Sequence, residues 1–468
     1  MLCCLLLKGV AKATIVLPSV ISDNMVLQQK DSVKLWGWSD IGEIVWVTTS
    51  WNNQTYSVAT TPQANWQLKI KTPAAGGPFK LTFKGNNTIV INNVMIGEVW
   101  ICSGQSNMQM SYSWGIKKMQ SDFESCYNNN IRFFQIPVTS SEHPQDNCNG
   151  AWSVCDTNSL RTFSAVAYYF GKRLNENMHV PIGLINASWG STSAEVWMPS
   201  STVYEDPIIK QDASKIIPTP YCPVEPGVVY NAMIYPLVNY TMQGVIWYQG
   251  EANTDHPVSY SKVFTTMINA WRNDWKKQMP FYYVQIAPYA YGDNVNGAVL
   301  REQQTKAMKL PNTGMVVIPD LVNDTANIHP QDKKDVGIRL GNWALAKTYN
   351  RNDIVYASPM YKYMKIENGK AVISFDFNSS GLMSTDSNIT EVYIADSDKI
   401  FYPASASIDT GKLTVWSDKV KNPVAVRYAF RNAAIGNLFS KDGLPVAPFR
   451  TDHWEPDKPD FHFAYDWH

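Results

Sequence analysis

The middle of the chain alternates short apolar segments with longer stretches of helical character. The apolar segments span residues 94–101, 131–135, 182–187, 244–248, 281–286 and 314–318. The helical stretches span residues 164–175, 259–275, 300–309 and 333–349. Buried parallel strands are continuous apolar runs, and the crossovers between them are usually helices. The pattern predicts an α/β domain over residues 94–350, with a parallel sheet and flanking helices.

Short strands separated by turn residues occupy both sides of this domain. On the N-terminal side they span residues 33–38, 43–48, 66–70, 79–83 and 88–91. On the C-terminal side they span residues 372–375, 391–394, 413–416 and 424–430. A chain of 468 residues also exceeds what one hydrophobic core usually holds. We therefore predict a β-sandwich domain over 14–93 and a β-rich region over 351–468.

The first thirteen residues resemble the end of a secretory signal. An apolar run at residues 2–7 precedes Ala11-Lys12-Ala13, which has the small-x-small form of a signal-peptidase site. We expect residues 1–13 to be a signal-peptide remnant and the protein to be secreted or periplasmic. In an oxidising compartment Cys148 and Cys155 could close a small disulfide loop. Cys102, within an apolar strand, is expected to be a buried free thiol.

Charge and residue spacing exclude several classes of partner. The chain has 40 basic and 40 acidic residues and no basic run that could follow a phosphate backbone, so we expect no nucleic acid partner. The His and Cys residues lack metal-ligand spacing, so neither a metal nor another cofactor is implied. Outside the leader no segment approaches the roughly 20 apolar residues of a membrane span. The oligomeric state is left open.

An apolar run ends abruptly in the turn Gly104-Gln105-Ser106-Asn107-Met108. Open α/β folds bind their ligands at the carboxyl ends of the strands, so Ser106 is a candidate nucleophile. Alternatively, Ser103, Ser106 and Asn107 only cap the helix that follows, as such residues do at most strand-to-helix turns. This segment alone does not decide between the two interpretations.

A serine nucleophile needs a base, and His329 is the best placed histidine for that role. It lies in Asn327-Ile328-His329-Pro330, after the strand predicted at 314–318 and before the helix predicted at 333–349. The loop therefore belongs to the same sheet edge as Ser106. The alternative is a loop histidine that only hydrogen-bonds the backbone, and His256 is the reserve candidate for the base. The other histidines are in polar loops or near the C-terminus: His143, His179, His453, His462 and His468.

Two further loops at predicted strand ends carry suitable polar groups. After the strand at 244–248, Gln249 could donate an amide N–H to an oxyanion, and Glu251 could orient an imidazole. After the strand at 182–187, Gly190 offers an unobstructed backbone N–H. Each loop alone is an ordinary turn, but several of them at one sheet edge favour an active site.

Four sequence blocks together resemble the sialate O-acetylesterase family, within the SGNH hydrolase group. These blocks are Gly104-Gln105-Ser106-Asn107-Met108, Trp189-Gly190-Ser191-Thr192, Trp247-Tyr248-Gln249-Gly250-Glu251 and Ile328-His329-Pro330. The resemblance covers almost the whole chain, from residues 17–28 near the start to residues 437–451 near the end. It implies an SGNH-type esterase domain over residues 94–350.

The resemblance also implies the roles of individual residues. Ser106 would be the nucleophile and His329 its general base, with the Ser106 N–H, Gly190 and Gln249 as oxyanion donors. Many SGNH hydrolases carry an Asp three residues before the histidine, but that position here is Ala326. The orienting group would then be Asp324 or Glu251, ranked nearly equal, or less favourably Asp320 or a backbone carbonyl.

The implied activity is that of a serine carbohydrate esterase without a cofactor. Its substrate would be an O-acetylated carbohydrate, with sialic acids favoured and acetylxylan or other plant glycans as the alternative. A glycosidase with Glu251 and Asp324 as paired carboxylates would leave Ser106 and His329 without a role. Outside enzymes, the alternative is a carbohydrate-binding protein that uses its aromatic surfaces.

Overall fold

The computed structural model describes residues 15–292 and 294–455. The predicted leader at 1–13 lies outside these residues, as do His462 and His468. The α-helices among the described residues are α1 Ser106–Gln109, α2 Thr157–Thr162, α3 Ala165–Met178, α4 Ser200–Glu205, α5 Pro207–Ala213, α6 Tyr260–Trp275, α7 Asn296–Ala307 and α8 Lys333–Lys347.

Strands occur in the N-terminal, central and C-terminal parts of the described chain. The first fourteen are β1 Val26–Gln28, β2 Ser32–Trp38, β3 Ile44–Thr49, β4 Thr55–Ala59, β5 Asn65–Lys71, β6 Gly76–Lys84, β7 Thr88–Gly104, β8 Asn128–Gln135, β9 Trp152–Cys155, β10 Ile182–Ser188, β11 Gly244–Tyr248, β12 Phe281–Val284, β13 Thr313–Val316 and β14 Met360–Glu367. The others are β15 Lys370–Asp376, β16 Leu382–Ser384, β17 Val392–Ala395, β18 Phe401–Pro403, β19 Ser405–Asp409, β20 Lys412–Trp416, β21 Ala425–Tyr428, β22 Leu438–Ser440 and β23 Phe449–Arg450.

The central sheet has the order β13-β12-β11-β7-β10-β8-β9. All pairs from β13 to β8 are parallel, and only β9 at the edge is antiparallel. Parallel strands end at the same edge of a sheet, so the loops after β7, β10, β11 and β13 lie on one side of the domain. The α/β prediction is confirmed, and this edge carries the candidate residues.

Helices cover both faces of the central sheet. Along β7, Trp100 and Cys102 belong to the core formed with α3 and α8, whereas Val99 and Ile101 belong to the core formed with α6. Side chains alternate between the faces of a strand, so burial on both faces explains the unbroken apolar run. The helices predicted from periodicity all occur, with bounds within about one turn of those observed. Asp332 caps α8 by accepting the Asp335 N–H.

The N-terminal β region is continuous with the central sheet through β7. The first half of this strand pairs with β6 and β1, and the second half pairs with β10 and β11. The boundary predicted between residues 93 and 94 therefore lies inside β7. Strands β2 and β5 form a separate two-stranded sheet, and its side chains share one hydrophobic core with the central domain.

The C-terminal region folds into three antiparallel sheets around its own core. Their orders are β14-β15-β20-β19, β18-β17-β21-β23 and β16-β22. Polar contacts join this region to α7, among them the pairing of the Arg450 guanidinium with Glu302 and the donation from Arg301 to the backbone carbonyls of Arg431 and Asn432. The predicted β-rich character of this region is confirmed.

The cysteines show no disulfide among the described residues. Cys148 and Cys155 are buried free thiols, so the disulfide considered between them is not formed. Cys102 is also a buried free thiol, as expected, and burial raises its pKa. None of the helices in the described parts of the chain combines the length and the apolar composition needed to span a membrane.

Candidate active site

The end of β7 makes a tight turn that places Ser106 at the sheet edge. Gly104 has a φ of 135°, and a Cβ at this position would lie 2.2 Å from the Tyr248 carbonyl oxygen. Such a conformation and such close approach require glycine. The Gln105 N–H then donates to the same carbonyl, at 3.0 Å, and α1 begins at Ser106. No side chain caps α1, so the interpretation of this turn as only a cap is not supported.

The structure brings Ser106 and His329 into direct contact. The distance from Ser106 Oγ to His329 Nε2 is 2.9 Å, although the residues are 223 positions apart in the chain. Burial lowers the pKa of His329 from its ordinary 6.5, and the positive charge of Lys333 lowers it further. A neutral imidazole accepts the serine proton, so this pair can generate a nucleophile near neutral pH.

Neither carboxylate expected to orient His329 is hydrogen-bonded to its ring within residues 15–292 and 294–455. Asp324 is exposed, and its carboxylate accepts the Ala326 N–H at 2.8 Å, which closes a local turn. Glu251 is buried, but Asn107 lies between it and the histidine loop, with Asn107 Nδ2 donating to Glu251 Oε1 at 2.6 Å. The expectation of a direct carboxylate contact is thereby corrected.

The weaker carboxylate candidate, Asp320, is also engaged elsewhere. It accepts from both terminal nitrogens of the Arg339 guanidinium. The Nδ1 atom of His329 has no hydrogen-bond partner among the described residues, and this includes backbone carbonyls. The orientation of the imidazole therefore depends on how its loop is held.

Asn107 connects the loop that carries His329 to the turn that carries Ser106. Its Nδ2 donates to the Ile328 carbonyl at 3.1 Å as well as to Glu251, and its Oδ1 accepts from Lys333 Nζ at 2.5 Å. Sequence reasoning missed Asn107 and Lys333, because one was considered as a helix cap and the other as an ordinary first-turn residue of a helix. The adjacency of Asn107 to Ser106 was the available signal.

The expected oxyanion donors differ in their availability. Both N–H groups of Gln249 are occupied, because its Nε2 donates to the Thr192 carbonyl at 3.1 Å and to Asn253 Oδ1 at 2.7 Å. Gln249 is fully buried and braces two loops, so it has no free N–H in this structure, and its role as an oxyanion donor stays a prediction. Its side-chain oxygen accepts from Tyr260 Oη at 2.8 Å.

The other two expected donors are the N–H groups of Gly190, which lies beside Ser106, and of Ser106 itself. A Cβ on Gly190 would be 3.5 Å from Ser106 Cβ, and the Gly190 N–H donates to Gln109 Oε1 at 2.8 Å. Ser106 is the first residue of α1, so its N–H has no acceptor within the helix. The Ser106 N–H is therefore without an acceptor in its helix, whereas the Gly190 N–H is occupied by Gln109 in this structure.

A second buried network braces the loops after β10 and β11. Asn253 Nδ2 donates to both carboxylate oxygens of Glu195, at 3.2 and 2.9 Å, and Asn253 Oδ1 accepts the Ala194 N–H. Burial raises the pKa of Glu195, although its hydrogen bonds oppose that shift. Together with Gln249, these residues hold the Gly190 loop and the Glu251 loop in a common frame.

A cleft of about 290 Å³ opens beside the Ser106–His329 pair. Gln105 and Ile328, the neighbours of the two reactive residues, contribute to its wall, as does the reserve histidine His256. Its far side is formed by residues between 215 and 224, among which Ile217 is 74% exposed. In the described residues no group of three or more His, Cys, Asp or Glu side chains is arranged to hold a metal ion.

Comparisons with known proteins identify the family of the chain. The family model described as carbohydrate esterase, sialic acid-specific acetylesterase, matches residues 96–350. The sialate O-acetylesterases of Mus musculus and Homo sapiens are each 28% identical to the chain, over 92% and 88% of its length and 93% and 87% of theirs.

A solved structure shares the architecture as well as the sequence. The crystal structure of a carbohydrate acetylesterase from Xanthomonas citri superposes with a TM-score of 0.85 and 34% identity, covering 94% of this chain and all of the other. The match extends beyond the central sheet to both β regions. The chain therefore belongs to the sialic acid-specific acetylesterase family of carbohydrate esterases.

Proposed function

We propose that the protein removes O-acetyl groups from sugars through an acyl-enzyme formed on Ser106. The 2.9 Å hydrogen bond between Ser106 Oγ and His329 Nε2 carries this proposal. Family membership supports carbohydrate ester hydrolysis, and the geometry supports a serine nucleophile paired with a histidine base. The sheet edge where they meet is the edge at which α/β folds bind ligands.

In the first step Ser106 Oγ attacks the acetyl carbonyl carbon while His329 Nε2 takes the serine proton. The negative charge on the carbonyl oxygen would be stabilised by the Ser106 N–H and by the Gly190 N–H released from Gln109. His329 then donates its proton to the departing sugar oxygen, which leaves acetyl-Ser106. Water, deprotonated by His329, hydrolyses this ester and regenerates the serine.

The nucleophile is tested with Ser106→Ala and a matched control, Ser103→Ala. Both substitutions remove one buried hydroxyl from the same segment, but Ser103 Oγ has no hydrogen-bond partner in the structure. Ser106→Ala should abolish hydrolysis of 4-nitrophenyl acetate, and Ser103→Ala should retain it. Turnover by a folded Ser106→Ala variant would reject the assignment.

The sugar is proposed to be an O-acetylated sialic acid, with acetylated xylan or another plant glycan as the alternative. The description of the family and the names of the mammalian relatives support the first. Acetate release from a panel of O-acetylated sialosides and acetylated xylo-oligosaccharides distinguishes the two. Release from the xylo-oligosaccharides alone would contradict the sialic acid assignment.

A glycosidase is not supported by the positions of the two carboxylates. Glu251 contributes to the cleft, whereas Asp324 is exposed and outside it. Paired carboxylates in a glycosidase must flank one bond of the substrate. The alternative of a non-catalytic carbohydrate-binding protein is tested with a fluorophosphonate, which labels an active serine covalently. Labelling of Ser106 would exclude this alternative.

Export is proposed from the leader alone. The apolar run and the Ala11-Lys12-Ala13 site support a secreted or periplasmic location. Expression with the leader and N-terminal sequencing of the protein recovered outside the cytoplasm would test it. Retention of all the protein in the cytoplasm would contradict it.

A further inference from the structure

Asn107 connects the loops that carry the two reactive residues. It follows Ser106 directly in the chain, and its Nδ2 donates to the carbonyl of Ile328, the residue before His329. This hydrogen bond thus joins the residue after Ser106 to the residue before His329. A shift of Asn107 would therefore change the distance between Ser106 and His329. Among the described residues, no carboxylate contacts His329 Nδ1 to hold that distance.

The Asn107 side chain is itself held from both ends. Lys333 Nζ donates to its Oδ1, and its Nδ2 donates to Glu251 Oε1. A lysine ammonium can only donate and an ionised carboxylate can only accept, so in their charged forms these partners fix which end of the amide is oxygen. Asn107 is 0% exposed. One rotamer of a fully buried amide is therefore specified by three hydrogen bonds.

Lys333 and Glu251 are costly residues to bury. Lys333 is 1% exposed, and Glu251 Oε2 has no hydrogen-bond partner among the residues that the structure describes. Lys333 Nζ also lies 5.3 Å from the centre of the Tyr248 ring, a distance at which a cation is attracted to the ring face. Burying two charges for structure alone gains little stability. Their position on either side of Asn107 points to a functional reason.

We propose that Asn107, held between Lys333 and Glu251, is the positioning residue of the Ser106–His329 pair. This inference rests on the proposed esterase function. In related triads a carboxylate orients the histidine directly, and here a buried amide would do so instead. Asn107 is fully buried and cannot contact a sugar, so its effect is on the reacting pair.

Lys333 adds an electrostatic effect on the base. Its ammonium lowers the pKa of His329, and its own pKa is lowered to about 7, chiefly by burial and against the opposing charges of Glu251 and Asp332. The titratable and charged groups that face Lys333 from the surrounding elements are Tyr248, Glu251, His329, Asp332 and, around the adjoining crevice, Lys118, Asp122, Tyr169 and Lys334. Removing the ammonium should raise the pKa of His329.

The main test compares Asn107→Ala with Asn231→Ala, using 4-nitrophenyl acetate. Asn231 is a matched control, because it is also buried and its Nδ2 donates to two backbone carbonyls, far along the chain from both reactive residues. Asn107→Ala should lower kcat about 10²-fold with KM unchanged, as expected for a misplaced reacting pair. Asn231→Ala should keep kcat. Equal kcat values in the two variants would overturn the proposal.

Glu251→Gln distinguishes positioning by Asn107 from direct orientation of His329 by Glu251. A glutamine keeps an oxygen that accepts from Asn107, so this variant should lose less than about tenfold in kcat, whereas loss of a directly orienting acid costs about 10⁴-fold. A loss of that size in Glu251→Gln, with Asn107→Ala active, would overturn the proposal.

Lys333→Met keeps the test decisive if Asn107→Ala does not fold. We expect it to lower kcat and to move the acid limb of the kcat/KM profile to higher pH, a shift that a purely structural lysine would not cause. An unchanged limb and an unchanged kcat would overturn the proposal. Failure of the esterase function itself would be seen separately, as activity retained in Ser106→Ala.

Discussion

The turn before Ser106 allows a quantitative test with a matched pair of glycines. Gly104 and Gly42 both have positive φ angles, 135° and 77°. A Cβ on Gly42 would meet no atom within 4 Å, whereas a Cβ on Gly104 would lie 2.2 Å from the Tyr248 carbonyl oxygen and 2.7 Å from its carbonyl carbon. Alanine at Gly42 therefore tests the backbone conformation alone, and alanine at Gly104 adds a collision with backbone.

The expected costs follow from these two contributions. Gly42→Ala should lower the free energy of unfolding by about 1–2 kcal/mol, the usual penalty of a left-handed backbone for a residue with a Cβ. Gly104→Ala should lower it by about 4 kcal/mol, since a strained backbone costs roughly 1–3 kcal/mol and overpacking costs a similar amount. The neighbouring atoms belong to a central strand, so they cannot move as a flexible side chain would.

Gly104→Ala should also affect catalysis, because the Gln105 N–H donates to the Tyr248 carbonyl, which the new Cβ would displace. A shift of about 1 Å at Ser106 should lower kcat about 10²-fold. Urea unfolding gives the change in stability, and 4-nitrophenyl acetate hydrolysis gives kcat. If Gly104→Ala costs no more than Gly42→Ala and keeps full activity, the steric argument for this turn is refuted.

Three further predictions concern pH, a buried ion pair and the thiols. The kcat/KM should fall as the pH drops through a pKa below 6.5, because His329 must be neutral and its pKa is lowered; a pH–rate profile with its acid limb above 6.5 would contradict this. Asp452→Ala should lower the free energy of unfolding by at least about 3 kcal/mol, because it removes the carboxylate 2.9 Å from the buried Arg427 guanidinium; a urea-unfolding change under about 1 kcal/mol would contradict it. Cys148 and Cys155 should resist iodoacetamide in the native protein, since both are buried and burial raises the pKa of the Cys148 thiol to about 12, and both should react in urea without reductant; a disulfide-linked peptide in mass spectrometry would contradict this.

Local pattern was sufficient to predict the architecture and to place Ser106 and His329 at one sheet edge. Apolar runs bounded by turns gave the strands of the parallel sheet, and their carboxyl ends carried Ser106 and His329. These inferences succeed because the burial of a strand and the chemistry of the loop after it are both written in neighbouring residues. The domain boundary was less accessible, because β7 continues from one sheet into the next without a change in composition.

The supporting residues could not be assigned in the same way. Gln249 has the right chemistry for an oxyanion donor, but its partners Thr192 and Asn253 come from other segments and occupy both of its N–H groups. Glu251 has the right charge to orient a histidine, but Asn107 intervenes. Which donor meets which acceptor depends on distances between loops, and sequence spacing carries no such distances.

The sequence by itself determined that the chain folds as a parallel α/β domain with β regions on either side, and that a serine and a histidine share one sheet edge. Only the tertiary structure decided the strand order β13-β12-β11-β7-β10-β8, which brings His329 to 2.9 Å from Ser106. It also decided that Lys333, in the polar first turn of α8, is buried and contacts Asn107. Secondary structure follows from local periodicity, whereas the burial of a charged side chain depends on the elements packed around it.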